Sequence, residues 1–198
     1  MGAGILPTTI YKNKLYFLFG KENKYEDSAP GFSDFGGGTD NNESYIETAI
    51  REGGEELTGF LGSDEDLKKM LNKHGTYPID NISKTGSTYR THIFPMVYDD
   101  KLPFYYNNNQ RFIQKRLSPD VIKNSKIFEK EEIRWICIDE IPKMKNKFRF
   151  FFIQTLQKIN KERKNIKNFI MKGLSNQTGY VKKRTRRASI SKSKTRRK

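Results

Sequence analysis

The sequence predicts an α/β (α+β) domain, and three observations predict it. Two β-rich runs, ILPTTIY and LYFLF, meet across Lys12, Asn13 and Lys14 near the start of the chain. Between Ser44 and Leu57 the apolar residues recur every three or four positions, the period of one helix face. IRWICI at Ile133 to Ile138 reads as a strand, and the apolar residues from Phe148 to Ile159 then return to the period of a helix lying on a sheet.

Taken in order, the opening runs from Ile5 to Gly20 form a hairpin. Lys21 to Pro30 is polar and breaks the pattern, and Gly36, Gly37 and Gly38 are the sharpest punctuation in the chain. In the helix that follows, Ile46, Ala49, Ile50, Gly53 and Leu57 fall within an arc of roughly 100°. Ser63, followed by three acids, caps a second helix that turns Leu67, Met70 and Leu71 inward and ends near Gly75. Tyr89 to Tyr98 reads as a strand, with Pro95 pointing to an edge position or a bulge. Asp99 to Phe128 resembles an insertion between core elements, with a short helix over Arg111 to Leu117. Beyond about Gly173 no core-forming period survives. Residues 1–172 are therefore expected to fold and 173–198 to form a disordered basic tail.

Composition is consistent with one folded domain. The chain has 198 residues, 34% hydrophobic and 13% aromatic, and Phe and Tyr carry large buried areas. Its 38 Lys and Arg exceed 23 Asp and Glu to give +15, but ten of those cations lie between Lys182 and Lys198, leaving 28 minus 23, or +5, elsewhere. Cys137 is alone, which excludes an internal disulfide and any multi-cysteine zinc or iron-sulfur site. No run approaches the ~18 apolar residues of a membrane span, and Met1 to Pro7 has no signal-peptide pattern. The expected location is intracellular, cytoplasmic or nuclear, without a membrane partner.

The acids of the first helix point to chemistry. Glu52, Glu55 and Glu56 stand at i, i+3 and i+4, crowding three like charges on one side. Such pairs cost about 0.2–0.5 kcal/mol each, and Gly53 and Gly54 cost about 1 kcal/mol each relative to Ala. Helix stability alone would not select REGGEE. Three carboxylates within one turn offer oxygen ligands to a hard cation, Mg2+ or Mn2+; a solvated acidic face is the plainer alternative.

The wider spacing bears on the choice through what it resembles. A glycine, five residues, a glutamate, seven residues, Arg-Glu, two residues and Glu-Glu place Gly37, Glu43, Arg51, Glu52, Glu55 and Glu56 in register. This resembles the signature of the Nudix hydrolases, the MutT-type pyrophosphohydrolases. Gly53 departs from it where the family has an aliphatic residue, and Thr58 stands at the usual glycine, with Gly59 one residue late. AGILPTTIY with LYFLFGKE, SDFGGG and EKEEIRWICIDEIP extend the likeness over most of Met1 to about Ile159, and the opening and SDFGGG segments look like Nudix proteins of large DNA viruses. The resemblance implies a mixed β-sheet sandwiched between α-helices, with the box as loop, helix and loop.

It also implies roles. Glu52 and Glu56 would be the main metal ligands, Glu55 would share an ion, the Gly37 carbonyl would complete the shell, and Glu43 would be an additional ligand or a cap. Arg51 would orient a box carboxylate. Asn42 stands where the family often has glycine, a substitution a left-handed turn tolerates. The general base is open among Glu129, Glu131 and Glu132, just before IRWICI. His74 and His92 are isolated, Trp135 and Cys137 read as core, and Tyr89, Phe94, Tyr98, Tyr105 and Tyr106 read as packing residues or as platforms for a nucleobase.

Three functions compete. One is an enzyme cleaving a nucleoside diphosphate linked to another group. The second is the same chemistry on capped RNA, with Lys182 to Lys198 binding nucleic acid; that segment also reads as a nuclear address, an anchor to an anionic partner or a solubilising end. The third is a non-catalytic nucleotide-binding module, disfavoured because every box carboxylate is kept.

Overall fold

The computed structural model describes residues 1–175 apart from 27, 41, 84 and 126–128; the cations from Lys182 to Lys198 lie outside the described residues. Strand β1 (Gly2–Tyr11) turns back into β2 (Lys14–Glu22) through Lys12 and Asn13, both with positive φ, the geometry that matches a hairpin turn to strand twist. Short strands β3 (Phe32–Ser33) and β4 (Phe35–Gly38) follow. Next come helices α1 (Tyr45–Glu56) and α2 (Asp64–His74), strands β5 (Tyr77–Ile82) and β6 (Thr88–Pro95), helices α3 (Lys101–Gln114) and α4 (Pro119–Asn124), and strand β7 (Lys130–Cys137). A 3-10 segment at Ile141–Lys147 leads to helix α5 (Ile153–Lys161), and residues 163–175 form a further helix, α6.

The sheet runs β3-β2-β1-β6-β5, with β4 on β1 and β7 on β2. It is mixed, since β1 and β6 are parallel and the other named pairs antiparallel. Along one edge β1 changes partner: Gly2 to Ile5 pair with β4, and Thr8 to Tyr11 pair with β2. Pro7, which has no N–H to donate, stands in the gap between them. The alternation of side chains along each strand feeds two cores. Leu6, Phe17, Phe19 and Ile93 pack under Leu156, Ile159, Ile166 and Ile170 of α5 and α6. Ile5, Leu18, Phe35 and Phe94 pack under Ala49, Leu67, Leu71 and Tyr106 of α1, α2 and α3. The sheet is therefore sandwiched between helices, as the sequence resemblance implies.

Several elements differ from the sequence reading. FGGG is a strand, and none of Gly36 to Gly38 has positive φ. The glycines there serve close approach instead: a Cβ on Gly36 would lie 2.3 Å from Gly4 Cα and 2.4 Å from the Ala3 carbonyl oxygen. Pro95 is neither on an edge strand nor at a bulge but ends β6, beyond the last residue that β5 pairs. The short helix over Arg111 to Leu117 is the end of a 14-residue helix that begins at Lys101. Pro103 is tolerated because it falls in the first turn, where the N–H groups have no intrahelical acceptor. Phe148 is extended, bridging to Phe32, so the last predicted helix begins only at Ile153. Strand β5 and helix α6 were not legible in advance. Gly173 lies in α6, where a Cβ would come 2.3 Å from Pro95 Cγ, and Leu174 packs on the core.

Candidate active site

The box helix is fixed at its start by a capping box. The Ser44 hydroxyl accepts from the Glu47 N–H, and the Glu47 carboxylate accepts from the Ser44 N–H at 2.9 Å. Asn42, just before it, has φ 70, so the chain enters through a left-handed residue. Gly53 is where α1 meets β1. A Cβ there would stand 2.4 Å from Ile5 Cδ1, so Ile5 fills the volume that an aliphatic residue at position 53 would otherwise take. At the exit Thr58 takes φ 49 and Gly59 φ 75, a left-handed conformation that disfavours a β-branched residue.

Arg51 joins the box together. Its Nε and Nη2 donate to the two carboxylate oxygens of Glu43 at 2.8 and 3.0 Å, and Nη1 donates to Glu52 at 2.8 Å. Nη2 also donates to the Gly38 carbonyl at 3.0 Å, and Glu55 lies 3.6 Å from Nη1. The guanidinium holds the Glu43 carboxyl down at about 2, and Glu43 in return keeps Arg51 protonated. Glu43 is thus a clamp residue; the cap is Ser44.

The three box carboxylates do not share one environment. Glu55 is 47% exposed, Glu52 12% and Glu56 3%. The Glu52 carboxylate lies over the Cα of Gly37, with its carbon and both oxygens 2.6 Å from where a Cβ would be, so any side chain there would displace the carboxylate from this position. Glu56 turns inward. One of its oxygens accepts from the Gly36 N–H at 2.9 Å and the other lies 2.9 Å from Lys130 Nζ.

Lys130 is fully buried, and its ammonium also meets Glu22 at 2.6 Å; Glu22 accepts in turn from Arg149 at 2.9 Å and from Ser28 at 2.6 Å. Gly20 leaves room for the lysine stem, since a Cβ there would stand 3.0 Å from Lys130 Cγ. Burial pushes the Glu56 carboxyl up against the pull of Lys130, while Glu56 and Glu22 keep Lys130 protonated in spite of its burial. Tyr106 ties the layers together by donating to the carbonyls of Glu56, at 2.7 Å, and Lys130, at 3.2 Å.

Of the three acids ahead of IRWICI, Glu131 and Glu132 lie within β7, where Glu131 is bound to Lys21 and Glu132 lies 3.9 Å from Arg134, and Glu129 precedes the strand. Glu129 is raised by burial and by the charges of Glu26, Glu52 and Glu22, with Lys130 opposing. Phe94 and Tyr106 are fully buried, whereas Tyr105 is exposed. Tyr89 donates to Asp34, and Tyr98 stacks on Tyr11. The sequence reading missed Glu22, Lys130 and Asp34. A lysine in a strand otherwise running into IRWICI was the available signal for the first pair.

Among the described residues no three His, Cys, Asp or Glu side chains are grouped so as to hold a metal ion. The donors nonetheless suit a hard cation, because Glu52 rests in a cradle that a Gly37 Cβ would fill and Glu55 stands on the same guanidinium. A cleft of about 620 Å³ opens beside Gly37 and Gly38 and is walled on its far side by Phe150 and Phe151. No helix among the described residues is long and apolar enough to cross a membrane.

No protein-family model matches the chain, and no curated protein matches it in sequence. Solved structures similar to it include a Nudix hydrolase from M. smegmatis, RenU, at 13% identity and TM-score 0.46, covering 83% of this chain and 86% of that one. A C. elegans Ap4A hydrolase in a binary complex is 12% identical with TM-score 0.42, covering 90% and 99%. The NUDIX domain of Shewanella oneidensis NrtR complexed with ADP ribose is 13% identical with TM-score 0.44, covering 81% and 86%. Two of these three, RenU and the NrtR domain, are described as Nudix proteins.

Proposed function

We propose that the chain is a Nudix-type hydrolase that cleaves a diphosphate linkage in a nucleoside diphosphate derivative, using Mg2+ or Mn2+. The observation that carries this is the Arg51 clamp, which holds Glu43, Glu52, Glu55 and the Gly38 carbonyl on one guanidinium. A side chain that only solubilised the helix would not be pinned by five such contacts, whereas an orienting residue has to be.

In this reading Glu52, Glu55, Glu56 and the Gly37 carbonyl would hold the cation. When bound, the cation neutralises diphosphate oxygens and lowers the pKa of bound water. Arg51 keeps Glu52 and Glu55 in place. Lys130 and Arg149 keep charge balanced beneath the site, each against a carboxylate. Glu129, its carboxyl raised by burial and by neighbouring acids, would accept the proton of the attacking water; Glu131 and Glu132 are engaged with Lys21 and Arg134.

The test is a panel of diphosphate-linked nucleotides, with and without a 5′ cap on RNA, assayed with Mg2+ and Mn2+. Glu52→Gln keeps shape and removes charge, so turnover should fall at least ~100-fold. Near-normal turnover in that variant, or full activity in excess EDTA, overturns the reading. Capped RNA is the second candidate, favoured by the ten cations between Lys182 and Lys198; preference for it over small dinucleotides would select that substrate.

A further inference from the structure

The exposed face of α3 carries a feature that hydrolysis does not use. Phe104, Tyr105 and Phe112 are 59%, 58% and 57% exposed, although they belong to a helix whose other face is anchored by buried Tyr106 and Gln110. Tyr105 and Phe112 are seven residues apart, hence on one line along the helix. Phe104 meets Tyr105 edge to face at 5.2 Å.

Cations interleave with these rings. Lys101, Arg111, Lys115 and Arg116 fall in a stretch, 101–119, that contains no acid; Asp100 and Asp120 stand just outside it. None of the four is in an ion pair among the described residues. The Arg116 guanidinium lies 3.5 Å from the centre of the Phe112 ring, and Arg111 is held by the Asn107 carbonyl and the Asn108 amide.

An apolar partner would find this face broken by charges and amides. A single-stranded nucleic acid would not, since its bases stack on aromatic rings and guanidinium planes while its phosphates take the cations. We propose that α3 is a binding surface for single-stranded RNA or DNA, engaged without sequence preference. It is separate from the box carboxylates, and its occupancy requires neither metal nor turnover. The scaffold beneath it is rigid, because Tyr106 and Asn107 bond to the backbones of Glu56, Lys130 and Ile133.

The experiment uses the full chain in EDTA and a fluorescein-labelled oligouridylate, read by anisotropy across a salt series. Tyr105→Ala with Phe112→Ala should weaken binding at least ~5-fold, the low end of base stacking. Arg111→Gln with Lys115→Gln should reduce the log-log salt slope by about 1.4, at roughly 0.7 per phosphate contact. Circular dichroism monitors folding of both, and the charge variant leaves the rings untouched, so one informs if the other misfolds. Unchanged affinity and slope in folded variants overturn the proposal. So does loss of self-association by sedimentation without loss of RNA binding, which would make the face a contact between copies.

Discussion

Asn107 acts as a strand for Ile133. Its side-chain amide donates to the Ile133 carbonyl at 3.1 Å and accepts from the Ile133 N–H at 2.8 Å, the two bonds a neighbouring strand would make at that position of β7. An unpaired strand edge is a template for association, and here a single helical side chain covers it. Asn107→Leu should therefore lower stability by about 1–3 kcal/mol, the range for leaving buried backbone groups unpaired. Asn107→Asp should be at least as harmful, because a carboxylate cannot donate to the carbonyl. Urea unfolding of the two variants checks this; equal stability to the parent would show that water replaces the amide at no loss.

Arg51→Lys tests the clamp. Lysine keeps the charge but lacks the planar fork that reaches Glu43 and Glu52 together. Mn2+ affinity measured by calorimetry should weaken by ~10- to 100-fold, the scale seen when ligand orientation is lost, while the thermal midpoint stays within a few degrees. Unchanged affinity would remove Arg51 from the site.

Thr58 offers a gain in stability. Its φ of 49 is costly for a β-branched residue, and its hydroxyl is buried without a hydrogen-bond partner among the described residues. Thr58→Gly should stabilise the domain by ~1 kcal/mol, read as a higher urea midpoint at constant slope. A lower midpoint would mean that the threonine methyl packs better than the backbone conformation costs.

His92 predicts a pH dependence. It lies in β6 opposite Pro78, with Thr76 Oγ1 2.9 Å from Nδ1 and Nε2 buried without a partner among the described residues. Burial, with the charge of Arg90, pushes its pKa down to about 4. Its contribution is present above the unfolded value of about 6.5 and is lost as pH falls toward 4, roughly 3 kcal/mol in all. Buried Asp34 works the other way: pushed up to about 6, it favours folding below its unfolded value and loses that contribution as pH rises through 6. The two tendencies overlap between about pH 4 and 6 and partly cancel in the parent. Subtracting the stability of His92→Gln from that of the parent across pH 4–7 isolates the histidine. A difference that does not change with pH would show that His92 is not held neutral.

Helices α1 and α2 were legible close to their bounds because local signals agree there: the apolar period runs from Ile46 to Leu57, and Ser63 with three acids opens the second helix, although the cap of the first is Ser44 and not Glu43. Helix α3 was hidden because NNN and Pro103 are poor helix formers. It forms because Tyr106 and Asn107 make tertiary bonds that outweigh propensity. Strand β5 carries a proline and an aspartate, and its place is secured by six paired positions on β6 that no short-range pattern encodes. The box residues stood out by a spacing that resembles the Nudix signature, and the structure brings Glu43, Glu52 and Glu55 onto Arg51. The Glu22–Lys130–Arg149 cluster was not, because its members are 108 and 127 positions from Glu22 and meet only when β7 lies on β2.

Two populations of charge on this chain respond to salt differently. Surface pairs such as Lys14 with Asp139 face solvent, where a screening length of roughly 8 Å at physiological ionic strength weakens them, as it does the mutual repulsion of an excess of +15. The interior cluster sets Glu22 and Glu56 against Lys130 and Arg149, all four of them buried, where salt screens much less. Raising salt should relax the repulsion on the outside while leaving the electrostatics under the box unaltered, so the protein can adjust its affinity for polyanions to the medium without retuning the carboxylates of the box.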